Sequence, residues 1–249
     1  ISAIMLTAPY AESDVTIKIE GKLVSKTYVN MTKQIMADFG VTVEWTGEKE
    51  IRIKSGQRYQ AQKYQIEPDA SSASYFWGLA AITQGKVEIS GFDQHSTQGD
   101  IGLVDILEKM GCHVFRSAEM ISITGCEDLK GITVDMNTMS DVAPTLAVIA
   151  LFAEGKTFIK NVSNMRIKEC DRITAVCTEL KKLGAEVKEF EDGLEISGKG
   201  QYHGTAIETY DDHRMAMAFS LAGLKIPEVR ILNPKCVSKN FPGYFDLLF

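Results

Sequence analysis

Side chains able to do acid–base or anion chemistry are bunched in a few short runs of this 249-residue sequence. The densest is Asn164-Met165-Arg166-Ile167-Lys168-Glu169-Cys170-Asp171-Arg172. Lys168 and Arg172 are four residues apart and share one face if a helix has begun. A helix start dressed with Asn, Lys and Arg is a ready anion cradle. The plainer alternative is a solvated helix start laced with i,i+3 and i,i+4 ion pairs. Asp69, Asp141 and Asp211 each precede an apolar run, where a helix N-cap is the alternative to a chemical role. Asp212-His213-Arg214 opens a mixed-charge helix in which His213 and Arg214 could face an anion. A metal there is disfavoured, because ligands are few and no second His has the right spacing. Ser25, in Leu23-Val24-Ser25-Lys26-Thr27-Tyr28, sits in a strand-to-helix loop and could equally be an N-cap. Lys239, in Lys235-Cys236-Val237-Ser238-Lys239-Asn240-Phe241-Pro242, is an isolated cation near a turn, with surface solubility as its default role. His95, His113 and His203 read as ordinary surface or core-edge residues.

Composition narrows the chemistry. The chain is 45% hydrophobic and 24% charged, an ordinary globular balance with room for one large or two medium cores. Its net charge of −6 and pI near 5.4 do not suit a nucleic-acid binder, which carries a basic excess or stripe. No apolar run reaches the length of a membrane span, so no membrane association is expected. Five scattered cysteines without a C-x-x-C point to reduced thiols and a cytoplasmic location. Dinucleotide, P-loop, zincin and α/β-hydrolase motifs do not occur. The sequence opens at Ile1 in an apolar, helix-like stretch and closes unfinished at Tyr244–Phe249, as a fragment would.

The elements that must position these residues repeat. Gly40, Gly111 and Gly184 stand 71 and 73 residues apart, each after an amphipathic segment: Met31–Phe39, Val104–Met110 and Ile173–Leu183. Glycine there reads as the left-handed residue that ends a helix. Two short β-rich runs follow each: Val41–Trp45 with Ile51–Lys54, Cys112–Phe115 with Met120–Thr124, and Glu186–Phe190 with Leu194–Ser197. Then come a further strand (Tyr64–Glu67, Ile132–Met136, Thr205–Thr209), a carboxylate, an apolar helix and a closing strand (Val87–Ser90, Thr157–Lys160, Val229–Leu232). Val15–Ile19 is an earlier closing strand. A unit of about 70 residues therefore reads strand–helix–strand–helix–strand–strand. Tyr75–Ala81 and Ala147–Ala153 are apolar nearly all round and belong inside, whereas the strands alternate and show one face to water. Helices inside and sheets outside is the predicted architecture. On this repeat Ser25, Glu169 and Lys239 fall in equivalent loops, as do Asp141 and Arg214. Equivalent loops of such an array lie at one end, so a single cation-rich site is expected despite the acidic total.

Four motifs then acquire a likeness. Asp69-Ala70-Ser71-Ser72-Ala73-Ser74-Tyr75-Phe76, Arg166-Ile167-Lys168-Glu169-Cys170-Asp171-Arg172, Asp212-His213-Arg214-Met215-Ala216-Met217 and Pro234-Lys235-Cys236-Val237-Ser238-Lys239-Asn240-Phe241-Pro242 together resemble the 5-enolpyruvylshikimate-3-phosphate synthase family. The resemblance runs over essentially the whole chain. It implies an α/β fold, the inside-out α/β barrel of enolpyruvyl transferases, built from repeats of about 70 residues. Residues 1–67 would be the last part of the N-terminal domain and 68–249 most of the C-terminal domain. The implied reaction transfers the enolpyruvyl group of phosphoenolpyruvate to the 5-hydroxyl of shikimate 3-phosphate, releasing phosphate, on the route to aromatic amino acids. No metal or organic cofactor is implied, and a monomer is expected at full length.

The resemblance also assigns roles. Ser25 matches a shikimate 3-phosphate contact and Tyr28 a weaker one. Asn164 and Lys168 match further groups that bind that substrate. Asp141 matches the carboxylate that takes the proton of the attacking hydroxyl. Glu169 matches a carboxyl that exchanges protons with the methylene carbon of phosphoenolpyruvate, and Arg172, Arg214 and Lys239 match its cationic holders. Burial would raise the pKa of Glu169 while Lys168 and Arg172 beside it would lower it. The family's N-terminal Lys, Ser and Arg loop and its Gly-rich loop do not occur in this sequence, so the chain alone is expected to be inactive. Two rival readings are an enolpyruvyl transferase acting on UDP-N-acetylglucosamine and a non-catalytic repeat module that binds a partner or an anion.

Overall fold

A computed structural model describes residues 1–21, 23–92 and 96–248; His95 lies outside the described residues. The chain divides into two compact units, one of Ile1–Ile66 with Thr97–Gly99, the other from Glu67 to Ser96 and from Asp100 onward.

The first unit holds α1 (Ser2–Thr7), β1 (Val15–Lys18), α2 (Lys26–Asp38), β2 (Val43–Trp45) and β3 (Glu50–Ile53). Its sheet runs β1-β3-β2 with antiparallel neighbours. Alternation in Val15-Thr16-Ile17-Lys18 and Glu50-Ile51-Arg52-Ile53 turns Ile51 and Ile53 onto a core with Met5, Val29, Met36 and Val43. Ser25 takes the N-cap position of α2 in a left-handed conformation (φ 54°) and makes no side-chain bond to the amides of the first turn. Tyr28 lies one turn further along, 38% exposed.

The second unit contains α3 (Ala70–Thr83), β4 (Lys86–Ser90), α4 (Gly102–Lys109), β5 (His113–Arg116), β6 (Met120–Thr124), β7 (Thr133–Asp135), α5 (Ala143–Ala150), β8 (Lys156–Lys160), α6 (Arg172–Lys182), β9 (Glu186–Phe190), β10 (Gly193–Ser197), β11 (Ala206–Ile207), α7 (His213–Ser220), β12 (Arg230–Ile231) and α8 (Tyr244–Leu248). Sheet order repeats as the sequence period demands. β4-β6-β5 and β8-β10-β9 match β1-β3-β2, the third strand of each copy sliding antiparallel between the first two. β7 adds parallel to β8, and β11 pairs parallel with β12.

The helices are inside. All eight residues of α5 are buried, and α5 touches both α3 and α7. Gly78 lets the three approach: a Cβ on it would lie 3.0–3.3 Å from side-chain carbons of Leu221, Ile149 and Thr145. Tyr244 of α8 plugs the same core, its hydroxyl bonded to Ser220 Oγ (2.9 Å) and to the carbonyl of Met217 (3.1 Å). Gly40, Gly111 and Gly184 all have positive φ, as helix-ending glycines require. Among the described residues no helix is long and apolar enough to cross a membrane.

One expected strand is absent. Tyr64–Glu67 is irregular, although its counterparts β7 and β11 are strands. The boundary between the two units falls within it, at Ile66/Glu67, and Ile66 is 79% exposed, so its alternating pattern has no sheet to face. The carboxylate readings also shift. Asp69 does cap α3, accepting from the amides of Ser71 and Ser72. Asp212 rather than Asp211 caps α7, and Asp141 sits inside a 3-10 turn, Ser140–Val142, without capping α5.

A further glycine pair follows the middle strands β6 and β10 of two sheets in the second unit. Gly125 after β6 and Gly198 after β10 lie under the C-terminal ends of α3 and α5. A Cβ would come within 2.2 Å of the Ala80 carbonyl oxygen in the first and 2.0 Å of that of Ala153 in the second. Backbone cannot yield as a side chain can, so Gly198→Ala is expected to destabilise by about 1–3 kcal/mol in urea unfolding. Gly223→Ala, whose nearest neighbour is Val229 at 3.6 Å, should change stability by less than about 0.5 kcal/mol. Equal effects at both positions would contradict this packing.

Candidate functional site

The Asn164–Arg172 run divides its labour. Its outer residues do what the plain ion-pair reading expects. Asp171 caps α6 by accepting the Thr174 amide (3.1 Å). Arg166 reaches Asp171 (2.8 Å), Glu189 (3.0 Å) and the carbonyl of Phe190 (2.6 Å), tying the helix start to β9. Asn164, Lys168, Glu169 and Arg172 instead meet polar or charged side chains of the second unit, while Ile167 stays exposed. Asn164 is buried and donates from Nδ2 to Ser140 Oγ (2.8 Å), which fixes the 3-10 turn that carries Asp141.

At the centre lies Arg172, 1% exposed. Its Nε and Nη2 donate to the two oxygens of Asp212 (2.7 and 3.2 Å), its Nη1 to Asp141 Oδ1 (3.1 Å), and its Nη2 to Glu169 Oε2 (2.6 Å). One guanidinium thus joins three carboxylates delivered by three segments. Arg214, in the first turn of α7, donates to Asp141 Oδ2 (3.1 Å). Lys168 lies 3.3 Å from Asp141 Oδ1, and Lys239 bonds Glu169 Oε1. Asp141, Asn164, Lys168, Glu169, Arg172, Arg214 and Lys239 therefore share one neighbourhood within the second unit. Ser25 and Tyr28 belong to the first unit and are described there.

Two local expectations are corrected. Lys168 and Arg172 do not share a helical face: Lys168 is extended (φ −89°, ψ −152°) and α6 begins only at Arg172. They meet instead on the same oxygen of Asp141. Lys168 accordingly serves Asp141, and the ammonium on Glu169 is that of Lys239.

Burial acts to raise the carboxyl of Asp141, but Arg214, then Lys168 and Arg172, outweigh it and hold the pKa at about 2. For Glu169 burial again acts upward, and the Lys239 hydrogen bond with the Arg172 charge brings it to about 2. Burial, with Arg214 and Arg172 nearby, lowers the pKa of His213, which leaves its ring neutral at pH 7; Nδ1 stands 3.7 Å from Asp212 and 4.0 Å from Glu169. Both carboxylates are thus ionised proton acceptors, framed by guanidinium and ammonium groups suited to phosphate and carboxylate.

Asp212 is the residue that reading the sequence missed. It is fully buried, caps α7 through the Arg214 amide (2.8 Å) and holds Arg172 bidentately. Its spacing was a usable signal: it stands 71 residues after Asp141, whereas Asp211 stands 70 after it.

The lowered pKa of Asp141 is a stability statement. A carboxyl whose pKa falls from 3.8 to about 2 on folding stabilises the fold above pH ~4, and that contribution is lost as the pH falls through ~2. It amounts to about 2 kcal/mol. Urea unfolding at pH 7 and pH 2 should therefore show Asp141→Asn losing roughly 2 kcal/mol less on acidification than the parent chain. An equal acid loss in both would mean that the cations do not hold this carboxylate.

With this geometry in hand, the likeness to known proteins is broad. The family model of EPSP synthase (3-phosphoshikimate 1-carboxyvinyltransferase) matches residues 1–248. A 3-phosphoshikimate 1-carboxyvinyltransferase of Nostoc sp. is 50% identical over 249 residues, covering 100% of this chain and 58% of the relative. The solved EPSP synthase of Acinetobacter baumannii superimposes with a TM-score of 0.83 at 30% identity, over 98% of this chain and 58% of that one. The enolpyruvyl transferase NikO from Streptomyces tendae, at 18% identity, covers 97% of this chain and 56% of its own, and shares the fold with a TM-score of 0.75. The chain spans a little over half the length of the relatives it matches, and it belongs to the EPSP synthase (3-phosphoshikimate 1-carboxyvinyltransferase) family.

Proposed function

We propose that this chain supplies the acid–base half of an enzyme that transfers the enolpyruvyl group of phosphoenolpyruvate to the 5-hydroxyl of shikimate 3-phosphate. The observation that carries this reading is the meeting of Asp141 and Glu169 on one buried guanidinium, Asp141 with two further cations, Lys168 and Arg214, and Glu169 with one, Lys239. Residues 1–67 are proposed to end an N-terminal domain and 68–249 to form most of a C-terminal one. Ser25 and Tyr28 are assigned to shikimate 3-phosphate on family likeness, and Asn164 and Lys168 join them. Five unpaired thiols fit a cytoplasmic enzyme.

The chemistry needs one acceptor and one donor of protons. Once substrate binding has raised its pKa, Glu169 takes up a proton from solvent; in the addition step the 5-oxygen then bonds to the enol carbon, its own proton passes to Asp141, and the methylene carbon takes the proton held by Glu169. In the elimination step the carbon–oxygen bond to phosphate breaks and the methyl group returns a proton to Glu169. With pKa values of about 2, both groups start as weak bases. A substrate phosphate or carboxylate that engages Arg214, Lys239 and Arg172 draws off the charge that keeps them low. Binding two polyanions therefore raises both carboxyls toward a range where proton transfer is efficient. Confinement of the two reactants contributes further, up to about 7–11 kcal/mol for ideally aligned pairs.

Phosphate release from phosphoenolpyruvate and shikimate 3-phosphate tests the reading in a full-length enzyme containing this chain. Asp141→Asn should cut turnover by roughly a hundredfold or more. Turnover with UDP-N-acetylglucosamine in place of shikimate 3-phosphate, or an Asp141→Asn enzyme as fast as its parent, would overturn it. The 249-residue chain by itself is expected to show no turnover, since it spans 58% of its catalytic relatives.

A further inference from the structure

Glu179 is a carboxylate in the wrong place for stability. It sits on α6 with its side chain 0% exposed. An ionised side chain withdrawn from water is costly, and a packed Leu would serve a core better. Its contacts beyond its own helix lead to one segment. Oε2 accepts the backbone N–H of Glu208 (3.1 Å), and Oε1 accepts the hydroxyl of Tyr210 (2.8 Å). Lys182 on the same helix supplies the compensating charge at 2.8 Å.

That segment, Glu208–Asp212, is held in an unfavourable conformation. Tyr210 (φ 54°) and Asp211 (φ 55°) are consecutive left-handed residues, neither a glycine. For a bulky L-residue such backbone persists only where neighbours over-determine it. The next residues are Asp212, which grips Arg172, and Arg214, which grips Asp141. Arg172 and Glu179 are seven residues apart, two turns along one face of α6. The helix thus fastens the segment at two points, Arg172 to Asp212 and Glu179 to Glu208 and Tyr210. Asn233 adds a bond from Nδ2 to Asp211 Oδ1 (3.0 Å).

We propose that Glu179 is a positioning residue for Arg214: it locks the left-handed turn before α7 and so sets the height at which the Arg214 guanidinium meets the phosphoenolpyruvate anion. The assignment of that anion rests on the proposed enolpyruvyl transfer. Glu179 touches neither substrate nor the reacting carboxylates.

The mildest probe is Tyr210→Phe, which removes one donor and leaves the carboxylate and Lys182 in place. Glu179→Gln turns an amide nitrogen toward one of the two donors. In the full-length enzyme each should raise the KM for phosphoenolpyruvate by on the order of tenfold, with the KM for shikimate 3-phosphate changed less than about twofold. Amide hydrogen exchange at Asp212 and Arg214 should quicken by on the order of tenfold while that of α5 is unchanged. Unchanged exchange at these two amides, or equal rises in both KM values, would overturn the proposal. An inactive parent enzyme with quickened exchange in the variants would sink the enolpyruvyl reading and leave the positioning role standing.

Discussion

Among the described residues, Arg172 is the one side chain that joins Asp141, Glu169 and Asp212, through its buried guanidinium. Buried charge is tolerated only when paired and fully hydrogen-bonded. Here Asp212, Asp141 and Glu169 provide that, and none of them is adjacent to another in the chain. The 3-10 turn at Ser140–Val142, the start of α6 and the start of α7 must all arrive at one point for Arg172 to be buried at all. The site is therefore a condition of the fold in this region as much as a product of it. The same arrangement holds the pKa of Asp141 and of Glu169 at about 2, against the burial of both.

How the segments arrive together follows from the repeat. Each copy crosses from strand to strand through a helix and then slides a third strand between them, which brings loops of the same kind to the same end. Apolar α3 and α5, with the apolar turns of α7 beyond its charged first turn, fill the middle. Gly125 and Gly198 meet helix-end backbone with no room for a methyl group, and a Cβ on Gly78 would lie 3.0–3.3 Å from side chains of α5 and the end of α7.

Much of this was legible beforehand, for identifiable reasons. Glycine at helix ends and alternation in strands are local, so Gly40, Gly111 and Gly184 and most strand positions could be read from spacing. The inward placement of α5 could be read as well, since a helix apolar on every side has nowhere else to go. Tyr64–Glu67 was misread because its pattern is right and only the partner is lacking, which is a tertiary fact. Lys168 and Arg172 were misread because i,i+4 spacing has meaning only after a helix has started, and an extended Lys168 with a cap at Asp171 intervenes. Asp141 resembled a cap by position, yet three cations surround it, and no local rule reports on groups drawn from residues 168, 172 and 214. Family likeness located those residues without supplying the bonds between them.

The charge pattern carries a consequence for approach and capture. Asp141, Glu169 and Asp212 with the four cations Arg172, Arg214, Lys168 and Lys239 form a set of seven side chains that sums to one unit positive, inside a chain whose total is −6. An anion is drawn by these cations only once it comes within roughly a Debye length, about 8 Å at physiological salt, so they act on capture at short range.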